Sequence, residues 1–161
     1  MPGETKLGDE YLAFIDIDHD GGGVWTTPDW QQLVTAGDIT DDPGLIVAEM
    51  NFRGFAHVGG RRSTRRKPAL SITVGVYHGD PAFDRLYEAA TAEVNDGSEI
   101  VRLRIADGLL TETGHKYNDN DWIVASMPRA TPQGGVYAFT FGFVRAIDSP
   151  NAPAKGTTSG A

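Results

Sequence analysis

The chain has 161 residues, a length suited to one domain around a single core, and its 20 Gly and 9 Pro require many turns between short elements, which favours β structure. With no cysteine, disulfides, thiolate metal ligands and a Cys nucleophile are excluded, and no stretch is long and apolar enough to cross a bilayer. The net charge of −8 is unevenly spread: residues 1–52 hold eleven acids and one base, Lys6, whereas residues 53–67 hold six bases (Arg53, Arg61, Arg62, Arg65, Arg66, Lys67) and no acid.

The opening MPGETKLGDEYL has neither the basic nor the hydrophobic region of a signal peptide, so the chain is expected to be made in the cytoplasm. EYLAFIDI alternates Tyr11, Ala13, Ile15 and Ile17 against Leu12 and Phe14, which predicts a strand over 10–17 buried on both faces. VWTTPDWQQLV carries Pro28 between Trp25 and Trp30 and reads as strand, turn and irregular chain. LIVAEMNF sets Ile46, Ala48, Met50 and Phe52 on one face, and ALSITVGVY sets Leu70, Ile72, Val74 and Val76 inward; both are half-buried antiparallel patterns. The polar, glycine-rich stretch between them is too long for a tight hairpin and reads as a long mobile loop over 53–67.

GDPAFDRLYEAATAEVN gives the strongest local signal. Asp80 is placed to cap, Pro81 suits the first helical position, and Phe83, Leu86, Tyr87, Ala90 and Val94 recur at helical spacing. The polar face takes Asp84, Arg85, Glu88 and Glu93, and a helix of about four turns ends near Asn95–Gly97. EIVRLRIADG then alternates Val101, Leu103 and Ile105 against Arg102 and Arg104 before an Asp107–Gly108 hairpin signal. LLTETGHKY and WIVASMP read as further strands with KYNDNDW as the turn between them, and VYAFTFGFVRAI places Tyr137, Phe139, Phe141 and Phe143 on one core-facing stripe. SPNAPAKGTTSGA is small, polar and aperiodic, which predicts a disordered tail over 148–161. Residues 1–147 therefore form one domain, mainly β: an antiparallel β-sandwich or barrel with one flanking α-helix.

Chemistry-bearing motifs are sparse. Asp16, Asp18, Asp20 and Gly21 begin like a calcium loop, but Thr27 stands where the template has a bidentate Glu, and the flank is strand, so an acidic turn is the simpler reading. His19, His57, His78 and His115 have no partners at metal-motif spacing, and no GxSxG, P-loop or strand–GxGxxG–helix is present. No cofactor is implied, and an enzyme is the least supported class. RRSTRRK could meet phosphate, remain solvated, or dock on the acidic surface of another copy; it lacks the aromatics of a single-strand platform, and charge complementarity favours docking.

The succession DITDDPGLIVAEMNFRGF, basic loop, ALSITVGVYHGDPAFDRLYEAA, EIVRLRIADG and GGVYAFTFGFVRA resembles the major tail tube protein of long-tailed, siphovirus-type bacteriophages, over roughly Trp25 to Ile147. That resemblance implies a structural virion protein whose hexameric rings stack into a hollow tube for genome delivery. It also implies that the loop holding Arg53, Arg61, Arg62, Arg65, Arg66 and Lys67 orders against the adjacent ring. Its implied partners are further copies of itself, a tape-measure protein, and tail terminator and tail-tip proteins. DNA would pass without specific binding along an acidic lumen; the place would be the virion tail, after assembly in the host cytoplasm, with no membrane partner. Two other readings remain: a secretion-system tube subunit of the haemolysin-coregulated type, and a monomeric β-barrel module binding nucleic acid or calcium.

Overall fold

The computed structural model describes residues 11–18, 28–42, 44–50, 60–66, 68–93, 97–130, 133–135, 137–146, 151 and 153–160, with 45–50 and 60–66 described by their backbone. In chain order the elements are β1 (Leu12–Asp16), β2 (Trp30–Gln32), β3 (Ala36–Asp42), β4 (Leu45–Met50), β5 (Gly60–Arg66), β6 (Ala69–Gly75), α1 (Pro81–Thr91), β7 (Ile100–Ala106), β8 (Thr113–Ser126), β9 (Arg129–Ala130), β10 (Ala138–Arg145) and β11 (Ala154–Ser159). Nine strands make one antiparallel sheet in the order β2-β1-β7-β8-β10-β6-β3, with β11 added to β8 and β9 to β10. The protein is mainly β with a single helix among the described residues, as its composition and patterning implied.

The two ends of this sheet are neighbours in the chain. Residues 33–35 link β2 to β3, with Leu33 N donating to Ala13 O at 2.9 Å on one side and Gly75 N donating to Thr35 O at 3.1 Å on the other. The sheet therefore curls until its terminal strands are tied by one short turn. Its concave side is filled by Ala13, Ile15, Leu70, Ile72, Val74, Val101, Leu103, Trp122 and the Phe139–Phe141–Phe143 stripe. The helix adds Ala82, Phe83, Leu86 and Ala89 to the same cluster. Tyr137, expected to extend the stripe inward, remains 38% exposed at the mouth of this core.

The helix begins as its sequence dictates: Pro81 opens it and the Asp80 carboxylate accepts from Phe83 N at 3.3 Å. It is shorter than expected, 11 residues, because Ala92 already has extended backbone. Arg85 corrects the polar-face assignment. Its guanidinium turns inward and donates to Ser98 O at 3.1 Å and Ile100 O at 3.0 Å, tying the helix to the start of β7.

Three longer-range expectations are corrected. KYNDNDW is no turn: it lies in the middle of the 14-residue β8, which β7 flanks on one edge while β10 and β11 share the other. The supposed disordered tail contains β11, whose Thr158 hydroxyl accepts from His115 N at 3.0 Å. Its small residues serve packing, since a Cβ on Gly156 would collide with the Tyr117 phenol. Finally, Gly60–Arg66 of the supposed loop is strand β5, paired antiparallel with β4 in a two-stranded ribbon. Register explains why. Asp42 pairs with Ala69 and Leu45 with Arg66, so the ribbon continues the β3–β6 ladder in the same register beyond an interruption at Gly44 and Pro68. Gly44 has φ 55, and its N–H is taken by the Asp42 side chain at 2.9 Å, a local turn that stops β3 before β4 begins.

Candidate functional site

Two sets of charged residues stand out, one inside the sheet and one at its edge. The inner set lies on the face opposite the aromatic core. In the β7–β8 register Arg102 sits directly across from Asp121, and Arg104 across from Asp119. Arg102 Nη1 meets Asp121 Oδ1 at 2.9 Å, the two side chains being 2% and 1% exposed. Arg104 grips Asp119 bidentately, Nε to Oδ1 and Nη2 to Oδ2 both at 2.7 Å. Its guanidinium also lies between the rings of Trp30 at 4.5 Å and Tyr117 at 3.8 Å, so it is paired and stacked at once. Asn151 Nδ2 donates to Asp121 Oδ2 at 3.3 Å. In this ladder opposite charges face one another across two adjacent strands of the same chain.

The calcium candidates divide. The Asp16 carboxylate is buried and its Oδ1 accepts from Asp18 N at 3.1 Å and Asp29 N at 2.9 Å, closing the chain segment after β1 onto backbone amides. Asp18 is exposed, and Asp20 lies outside the described residues. Among the described residues no group of three potential ligands is gathered for a metal ion. His115 bridges two carboxylates, with Nε2 at 2.7 Å from Glu112 and Nδ1 at 3.4 Å from Asp107, and its ring occupies the space that a Cβ on Gly108 would need. His78 packs edge-on against Phe83 and Tyr87. His19 and His57 lie outside the described residues.

The edge set is where the basic segment is found. Arg61, Arg62, Arg65 and Arg66 all belong to β5, one strand of the ribbon, while Arg53 and Lys67 lie outside the described residues. Among the described residues β4 and β5 pair only with each other. The strand from which the ribbon departs, β3, has the opposite composition: AGDITDD carries Asp38, Asp41 and Asp42 and no base. β3 ends the sheet, hydrogen-bonded to β6 on one side, and an open groove of about 1240 Å³ runs beside residues Ala36 to Asp41 toward Tyr11 and Leu12 of the β1 end. Although Asp41 is exposed, partial desolvation beside the groove and then the neighbouring Asp42 push its carboxyl above its ordinary range, with Arg145 opposing them. Burial in turn lowers Arg145, against support from Asp121 and Asp41. The inner ladder and the acidic edge are thus electrostatic neighbours through one arginine.

Reading the sequence did not single out Asp38, Asp41 and Asp42. Their signal was present: DITDD is an acidic run that mirrors RRSTRR in sign and is, like it, short enough for one strand.

An antiparallel sheet curled on itself, with one helix in its core and a projecting ribbon, defines a fold class that the comparisons make more definite. No protein-family model matches the sequence, and no curated protein matches it. Solved structures do. The chain is similar to a subunit in the tail of an empty gene transfer agent (GTA) particle determined by helical refinement with C6 symmetry, at a TM-score of 0.60 and 11% identity, covering 94% of this chain and 99% of that one. It is similar to a chain of the native GTA virion at 0.59 and 9% identity, with the same coverage. The SPP1 tail tube matches at 0.56 and 13% identity, covering 94% of this chain and 79% of that chain. At such identities what is shared is the fold, and it is shared over nearly the whole chain.

Proposed function

We propose that the chain is a tail tube subunit: a structural protein that assembles with its own copies into rings, stacked into a hollow tube for genome delivery in a phage-type tail. The observation that carries this reading is the end-to-end fold correspondence with the GTA tail, 94% of one chain against 99% of the other. The ring order suggested by the C6 symmetry of that tail is six.

The chain's own features support the same reading. Among the described residues, a two-stranded ribbon unpaired on its outer edges and a terminal strand beside an open groove leave backbone donors and acceptors that a neighbouring copy can satisfy. The ribbon carries the arginines of β5 to the next subunit, and the acidic excess elsewhere lets DNA pass by like-charge repulsion. Tape-measure, terminator and tip proteins would bound the tube, within a siphovirus-type tail. Purified protein at high concentration, viewed by negative-stain electron microscopy, is expected to show rings or long hollow tubes. A protein that remains strictly monomeric overturns the proposal.

A further inference from the structure

The tube reading calls for ribbon docking but leaves the acceptor unnamed. We propose that the edge of β3 left unpaired among the described residues is that acceptor: strand β5 of a second copy of this chain enters the groove and adds to β3 as a further strand. This rests on the tube reading insofar as it requires a second copy.

Size is the first argument. β3 and β5 have seven residues each. Six consecutive residues of β3, Ala36 to Asp41, line the groove, which offers nearly the whole ~23 Å length of a seven-residue strand for pairing. Charge is the second. β3 brings three aspartates and no base; β5 brings four arginines and no acid. Of these acids Asp38 and Asp41 line the groove, as does Asp107, while Lys116 is its one base among the described lining residues. Like charges across strands disfavour β3 pairing with another β3, so this edge is guarded against itself and open to a basic strand. The raised carboxyl of Asp41 fits a position where an added cation would relieve crowding with Asp42.

Topology identifies the donor as another copy. The ribbon continues the β3–β6 ladder in register, so β5 prolongs β6 away from the groove. To reach the groove edge of its own β3, the ribbon would have to reverse through the short interruption at Gly44 and Pro68, breaking the register shared by Asp42–Ala69 and Leu45–Arg66.

The chain has no cysteine, so engineered thiols report contacts directly. Thr40→Cys and Ser63→Cys are made in separate full-length chains, mixed and oxidised; disulfide-linked heterodimers are expected, well above the yield of Thr40→Cys mixed with Ser126→Cys. In parallel, Asp38→Arg with Asp41→Arg should abolish tubes, and adding Arg61→Glu with Arg65→Glu to the same chain should restore them, with melting temperatures confirming that each variant folds. Wild-type tubes combined with cross-linking no higher than the control overturn this pairing and leave the tube reading standing. A wild type that stays monomeric overturns both.

Discussion

The β7–β8 face and the β3–ribbon edge use the same chemistry to opposite ends. On the first, each arginine stands directly across from an aspartate on the adjacent strand of the same chain, and the pairs are buried. On the second, aspartates and arginines are segregated onto β3 and β5, strands that do not pair with each other among the described residues. The first arrangement is closed. A slip of one residue would put Arg102 and Arg104 against the apolar core and strand the carboxylates, so the ladder fixes register as well as charge. The second arrangement is the one for which docking of a second copy is proposed. Both regions carry charges of both signs; among the described residues they differ in whether the strands that carry opposite charges pair with each other.

That contrast can be broken most severely from the inside. Asp121→Ala removes the carboxylate that faces the buried Arg102 guanidinium and is expected to cost about 3–5 kcal/mol, enough to unfold a marginal domain. Urea titration followed by circular dichroism measures it, and a loss below about 1 kcal/mol would show that the pair is far better solvated than its burial implies. Arg104→Lys comes next. The charge is kept, but bidentate geometry and stacking between Trp30 and Tyr117 are lost, for a destabilisation of about 1–3 kcal/mol. Asp80→Ala removes the helix cap, outside both regions, and should cost about 1 kcal/mol. Replacing Arg61, Arg62, Arg65 and Arg66 by Ser should change monomer stability by no more than about 0.5 kcal/mol while tubes disappear from electron micrographs. Unchanged assembly of that variant would remove the docking role of β5.

How legible these regions were in the sequence follows from the range of the forces involved. The helix start was readable because Asp80, Pro81 and Phe83 act within one turn, and the Leu70–Ile72–Val74 and Phe139–Phe141–Phe143 alternations because burial on one face imposes a period of two. KYNDNDW misleads for the converse reason. Asn and Asp favour turns locally, but Asp119 and Asp121 are held in a strand by arginines fifteen and nineteen residues away. Arg85 likewise obeys a tertiary demand, the carbonyls of Ser98 and Ile100, over its helical phase. The tail and the basic segment looked structureless because β11 and β5 have no apolar face of their own; each borrows its order from the strand beside it, β8 and β4. Of the candidate site, the arginines were visible as a run, and their counterpart DITDD was not, because three acids in an acidic chain carry little contrast.

Asp41 on the β3 edge and the aspartates of the β7–β8 ladder differ in what an ionised carboxylate costs the isolated subunit. Asp41 has its carboxyl raised above the ordinary 3.8, by partial desolvation first and Asp42 second. The folded chain therefore holds that proton to a higher pH than the unfolded chain does. Stability is unaffected below the ordinary value, where both states are protonated, and falls as pH rises through the raised one. At neutral pH the ionised Asp41 is thus a burden on the isolated subunit, in contrast to Asp119 and Asp121, which face arginines across the strand pair. Asp41→Asn should raise the melting temperature of the monomer slightly at pH 7, with the gain shrinking as the pH is lowered toward the ordinary carboxylate range. An equal or lower melting temperature at pH 7 would mean that Arg145, the opposing influence, already compensates the charge within the subunit. A gain in monomer stability coupled to weaker tube formation would show instead that the charge is tolerated in the free subunit because it is used in the assembled one.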